Sequence, residues 1–176
     1  MKNLLKSVIV ISILLITFFS IHITSERTTS KAINFSYKDG LFYQKNSSEL
    51  FTGKIIDTAD VVIEFEVVNG KKNGSFKTYY LNGQIEKSGY VINNRNEGEW
   101  KYYFPNGQVE SSGSFRKDLP EGKWEFYYKN GFKKCEGNYK QGKQKGEWIY
   151  YDEKGKIINR LLLNNGILID HLEKLT

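Results

Sequence analysis

The chain is poor in the residues on which cross-linking and catalysis usually depend. It has one cysteine, Cys135, so no disulfide can form within it. Its two histidines, His22 and His171, lie outside the repeated region identified below. No Ser-His-Asp or Cys-His set can be assembled from them, so we expect no enzyme. Zinc takes clustered cysteine and histidine, which are absent. No phosphate-cradling or dinucleotide-binding glycine loop occurs. No metal and no cofactor are therefore expected. Only two prolines are present, and no apolar stripe of helical period follows residue 25.

One charge sign does not dominate locally. The formal charge is +6, but Glu99 stands near Lys101 and Lys123 near Glu125. This is a solvated mixed surface and not a nucleic-acid-binding stripe. Glu86 and Glu110 could suggest a carboxylate pair. Their spacing follows from the repeat alone.

What the chain has is aromatic rings and glycine. Aromatics make up 15% of it, with 16 glycines, a combination that favours strands and tight turns. The glycines recur every 24 residues, as Gly74, Gly98, Gly122, Gly146 and as Gly83, Gly107, Gly131, Gly155. A third column is Gly89, Gly113, Gly137, broken by Leu161. Phe76, Trp100, Trp124 and Trp148 keep the same period, as do Tyr79, Tyr103, Tyr127 and Tyr151. A degenerate unit precedes them from Gly53. Five units in tandem, the end ones atypical, are what a self-capping stack requires.

Each unit reads as a β-hairpin. Asn82-Gly83, Asn106-Gly107 and Asn130-Gly131 separate two strand-like runs, with Lys154-Gly155 in the last unit. The joints between units, Asn69-Gly70, Asn93-Asn94, Lys117-Asp118, Gln141-Gly142 and Asn165-Gly166, are also turns. Their second residue always tolerates the left-handed region. The expected fold is all-β: one extended, twisted antiparallel meander of hairpins, preceded by one N-terminal hydrophobic helix.

Two registers are open. A two-residue Asn-Gly loop sets Trp100 opposite Gly113, Tyr102 opposite Ser111 and Phe104 opposite Val109. A ring over that cross-strand glycine would explain the third glycine column. Pro105 lacks the N–H that such a loop needs, so a three-residue Pro-Asn-Gly loop is expected there and the two-residue loop in most other units. Gly74, Gly98, Gly122, Gly146, the second glycine column and the Phe76/Trp column are assigned to structure. Tyr79, Tyr103, Tyr127 and Tyr151, on the opposite side of each strand from the tryptophans, are the candidate contact surface.

The ends differ from the array. Lys2 and Lys6 precede an uncharged, largely apolar run from Ser7 to Ser25, which reads as a signal peptide or a membrane anchor over residues 1–25. Its basic start places the remainder outside the cytoplasm. Residues 26–40 read as a polar tether and 41–176 as the array. The apolar segment 161–176 reads as a cap over the last sheet edge, with an exposed contact patch as the alternative.

The pattern Gly-x-Trp-x-x-Tyr followed by a turn glycine resembles the bacterial MORN-repeat variant, best over Gly98–Phe115 and Gly122–Tyr139. Asp39-Gly40-Leu41-Phe42-Tyr43 and Phe51-Thr52-Gly53 resemble the start of such proteins. The resemblance spans about residues 41–170. It extends to YwqK-like antitoxin components of toxin–antitoxin systems, which implies a toxin as protein partner. Related eukaryotic repeats imply protein or phospholipid contacts at membranes. The expected function is thus a non-enzymatic scaffold for protein–protein interaction at the cell envelope. The alternative is a module that binds membrane phospholipid or envelope glycan.

Overall fold

The computed structural model describes residues 34–58 and 62–174. The hydrophobic helix expected over residues 1–25 lies outside them. The described strands are β1 (Phe35–Lys38), β2 (Leu41–Gln44), β3 (Gly53–Asp57), β4 (Val62–Val68), β5 (Lys71–Tyr79), β6 (Ile85–Ile92) and β7 (Arg95–Tyr103). They continue as β8 (Val109–Arg116), β9 (Leu119–Tyr127), β10 (Lys133–Lys140), β11 (Lys143–Tyr151), β12 (Ile157–Asn164) and β13 (Ile167–Lys174). Strands β3 to β13 form one antiparallel sheet in strict sequence order, and β1 and β2 form a separate hairpin. The all-β meander is as the repeat implies. No described helix is long and apolar enough to cross a membrane.

Two kinds of turn alternate along the sheet. At the joints between units both central residues have positive φ, for example Asn93 at 51° and Asn94 at 65°. These are type I′ turns, whose twist matches that of the flanking strands. Lys117 is at 52°, a conformation that disfavours a side chain without local hydrogen bonding. Its N–H is fixed by the Glu97 carboxylate at 2.9 Å.

Within units the two-residue loop expected for most hairpins does not form. The Gly107 N–H donates to the Phe104 carbonyl and the Phe104 N–H to the Gln108 carbonyl. The same pair of bonds closes the loops at Tyr80–Gln84, Tyr128–Phe132 and Asp152–Lys156. All four are three-residue loops ending on a left-handed glycine, with Gly107 at 84°. The asparagine before that glycine is needed for its side chain. Asn106 Oδ1 accepts the Gln108 N–H at 3.1 Å, as Asn82 and Asn130 do in their loops. Pro105 opens its loop, where no N–H is required.

A bulge one step into each hairpin then corrects the register. Trp100 lies opposite Gly113 and Tyr102 opposite Ser111, but Tyr103 and not Phe104 meets Val109. The ring over the third glycine column is also not the hairpin partner. Trp100 lies on Gly89, Trp124 on Gly113 and Trp148 on Gly137, each covering the glycine of the preceding unit. A Cβ on Gly113 would stand 2.2 Å from Trp124 Cδ2. The glycine column is therefore a seat through which one hairpin packs on the next.

Seated this way, the tryptophans are buried although no second layer covers them among the described residues: Trp100 is 3%, Trp124 5% and Trp148 1% exposed. Glycine lets each indole lie flat against backbone, and Phe115 and Tyr139 close the gaps edge-on. Phe115 is 5.1 Å from Trp124 and Tyr139 is 5.2 Å from Trp148. Phe42, Phe65 and Phe76 extend the ladder toward the first hairpin. Each such pair contributes about 0.5–1.5 kcal/mol beyond its buried area.

Tyrosine hydroxyls stitch neighbouring units together. Tyr80 donates to the Tyr103 carbonyl at 2.6 Å and Tyr128 to the Tyr151 carbonyl at 2.9 Å. Phe104 occupies the same column without a hydroxyl. Phe104→Tyr should add this bond to the Tyr127 carbonyl and stabilise the protein by about 1 kcal/mol. A urea midpoint that stays put or falls would refute that assignment.

Both end segments differ from expectation. The tether does not extend to residue 40, because Phe35–Lys38 already pairs with Leu41–Gln44. This hairpin packs Phe35, Phe42 and Phe51 against the start of the ladder, and Ile55 is buried there. The C-terminal segment does not fold over the sheet edge. Strand β13 is the edge, paired only with β12 in the described sheet, and Ile167, Leu168, Ile169 and Leu172 are exposed. In β12 and β13 the glycine and tryptophan columns hold Leu161 and Leu172. With no glycine seat and no indole to fill it, the ladder stops.

Candidate functional site

Side chains alternate across each strand, so the face opposite the tryptophans collects the charged residues and the tyrosine column. Cross-strand pairing sets Glu64 beside Lys77, Lys101 beside Ser112, Ser112 beside Glu125 and Glu125 beside Glu136. Two like charges side by side on β9 and β10 require counter-ions. Lys133 lies 2.9 Å from both Glu125 and Glu136, while Lys123 lies 3.0 and 2.8 Å from them. Burial disfavours the Glu136 carboxylate, but hydrogen bonds from Lys123, Tyr151 and Lys133 outweigh it and hold the pKa at about 2. Burial likewise opposes charge on Lys133, yet the two carboxylates keep its pKa above the ordinary range.

The tyrosine column is drawn into this network. Tyr79 donates to Glu64 at 3.2 Å, Tyr127 to Glu125 at 3.0 Å and Tyr151 to Glu136 at 2.6 Å. Tyr103 lies in the same column without such a carboxylate bond. All four are half-buried. Three of the four candidate contact tyrosines thus have their hydroxyls engaged within the sheet. The structural columns separate by role. Gly98, Gly122 and Gly146 have positive φ and open space around them, so backbone conformation requires them. Gly74 instead faces the Glu66 side chain.

Among the described residues, Cys135 and the paired glutamates lie apart. Cys135 is half-buried between Phe126 and Tyr150 on the aromatic face, and burial raises its thiol pKa. Glu86 accepts the Thr78 hydroxyl at 2.8 Å. A groove of about 550 Å³ over β7–β9 is lined by Glu99, Lys101, Ser112, Lys123 and Glu125. Among the described residues no three His, Cys, Asp or Glu side chains group as a metal site.

The feature missed in the sequence is the turn edge of the charged face. The residues bracketing the five joints pair as Val68–Lys71, Ile92–Arg95, Arg116–Leu119, Lys140–Lys143 and Asn164–Ile167. All ten are exposed. Val67, Val91 and Leu163 are buried on the aromatic face, which turns Val68, Ile92 and Asn164 to the charged one. Successive pairs are two strands apart, roughly 10 Å. The result is a row of aliphatic and cationic side chains along one edge. The nearby acids are turned toward backbone: Glu97 accepts the Lys117 N–H, Glu121 the Gln141 N–H and Asp118 the Asn96 N–H. The ion pairs formed elsewhere among the described residues involve none of Lys71, Arg95, Arg116, Lys117, Lys140 or Lys143. The signal was the same 24-residue period, read on the turn flanks.

No curated protein matches the chain. The MORN repeat variant model matches residues 72–93, 96–117, 120–141 and 144–165, the four regular hairpins from joint to joint. These segments make up half of the chain, and it belongs to the MORN repeat variant family.

Proposed function

We propose that the array is a non-enzymatic scaffold that binds a protein partner along its turn edge, at the cell envelope. The observation that carries this reading is the regular row of exposed aliphatic and unpaired cationic residues from Val68–Lys71 to Asn164–Ile167. Apolar side chains supply contact area, and the cations select an acidic surface and speed encounter. The apolar run Ser7–Ser25 behind Lys2 and Lys6 supports placing the array outside the cytoplasmic membrane. A toxin neutralised by direct contact is one partner of this kind, suggested by the resemblance to antitoxin components.

The test is a photo-crosslinker placed at Leu119 in the full chain in its own host. We expect a discrete protein adduct that is lost in Arg116→Glu/Lys140→Glu; no adduct, or one indifferent to the charge reversal, would count against the reading. Cations beside aliphatics also suit an anionic bilayer surface. That second reading predicts crosslinks to phospholipid in place of protein.

A further inference from the structure

One stretch of the turn edge is concave. Between the first three joints an open groove of about 420 Å³ is lined by Lys71, Ile92, Asn93, Arg95, Glu97 and Lys117. Three cations and one acid surround Ile92, which is 49% exposed. Glu97 accepts the Lys117 N–H at 2.9 Å, which holds the one acid toward the third joint. None of the three cations makes an ion pair among the described residues. Three cations against the one Glu97 carboxylate leave the groove net positive.

The placement of these charges restricts what fits. Lys71 and Arg95 begin strands two apart in the sheet, β5 and β7, with backbones roughly 10 Å from one another. Lys117 sits at the next joint beyond. One phosphate has about the reach of a single cation pair and would leave the third cation unsatisfied. A flat bilayer meets convex surfaces best, whereas Ile92 lines a depression. An extended polypeptide carries several carboxylates at strand spacing and can insert an apolar side chain between them.

We infer that this groove binds an acidic, apolar-containing extended segment of the partner. The inference rests on the scaffold reading and names the partner chemistry at one part of that edge. Asn93 lines the same depression and offers a side-chain amide to the bound backbone. Binding is charge-dependent and weakens at high salt, because the cations are exposed.

The experiment titrates the full chain against a short fluorescein-labelled peptide with glutamate and leucine at successive same-face positions and serine between them, read by anisotropy. The comparison probes are a lysine–leucine peptide of equal length and phosphatidylglycerol vesicles. Lys71→Gln/Arg95→Gln/Lys117→Asn removes the groove charges, and asparagine suits the left-handed turn at position 117. Lys140→Gln/Lys143→Gln removes charge from the same edge outside the groove. We expect the acidic peptide alone to bind, with affinity about tenfold lower in the groove variant and unchanged in the outer one. Equal weakening by both variants, equal binding of the lysine peptide, or a response of the vesicles without the acidic peptide would overturn the assignment. If the acidic peptide fails to bind while the Leu119 crosslink persists, the groove falls and the scaffold stands. Loss of both removes both.

Discussion

Gly113→Ala should destabilise the protein by about 3 kcal/mol, through packing alone. Gly113 is not in the left-handed region, so alanine fits its backbone. The new Cβ would stand 2.2 Å from Trp124 Cδ2 and 2.3 Å from Cε2, and Trp124 is boxed in by Phe115, Phe126 and Tyr139. Overpacking of this kind typically costs about 1–3 kcal/mol, and more where nothing can move. Gly122→Ala provides the contrast. Nothing lies within 4 Å of its Cβ position, but φ is +73°. Its cost is about 1–2 kcal/mol and purely conformational. The two columns separate in a double mutant. Trp124→Leu should relieve much of the Gly113→Ala penalty and none of the Gly122→Ala penalty. Leu161 and Leu172, which replace the glycine and the indole together in the last strands, point the same way. The check is urea unfolding of the singles and doubles, where simple additivity at Gly113 and Trp124 would sink the seat argument.

The second large effect is electrostatic. Glu136→Gln should cost on the order of 3 kcal/mol at neutral pH and little at about pH 2. The carboxyl has a pKa of about 2 in the fold against 4.5 ordinarily. A depressed acid stabilises the folded state above its unfolded pKa and loses that contribution as pH falls toward the folded one. Each unit of depression is worth about 1.4 kcal/mol. The Glu136 side chain is 15% exposed but that of Lys123 is 60% exposed, so added salt should trim the effect. Hydrogen bonding to Lys133 lowers the Glu125 pKa too, so it reinforces the same acid limb. Wild-type protein should therefore weaken between about pH 5 and pH 2, and the Glu136→Gln variant should show a flatter limb. Parallel pH profiles for the two proteins would remove Glu136 from this role. The Lys133 and Lys123 charges left without this counter-ion would account for any residual loss at neutral pH.

Much of the fold is legible in the chain because its signals are local. Joints such as Asn93-Asn94 are turns because their residues tolerate positive φ. The loops end on Gly107 and its equivalents for the same reason. Register was less legible. The Asn-Gly pairs suggest two-residue loops, but Asn82 spends its side chain on the Gln84 N–H and leaves only Gly83 left-handed; the three-residue loop expected at Pro105 forms in all four regular units. The surroundings of the tyrosine column were the least legible. The tyrosine column has a regular period and the right chemistry, yet Tyr79, Tyr127 and Tyr151 bond to carboxylates within the sheet. That outcome depends on which residues of different hairpins share a row.

The sequence by itself determined the 24-residue spacing of the four regular units, the turn at each joint and the alternation that sets Trp100 and Tyr103 on opposite faces. Those follow from backbone preferences and strand alternation within a few residues. Only the tertiary structure decided that each tryptophan seats on the preceding unit's glycine, that the C-terminal strand is an open edge, and that the free cations gather along the turns. Each of these depends on bulges that change the pairing between hairpins, and on acids such as Glu97 reaching a backbone N–H twenty residues away.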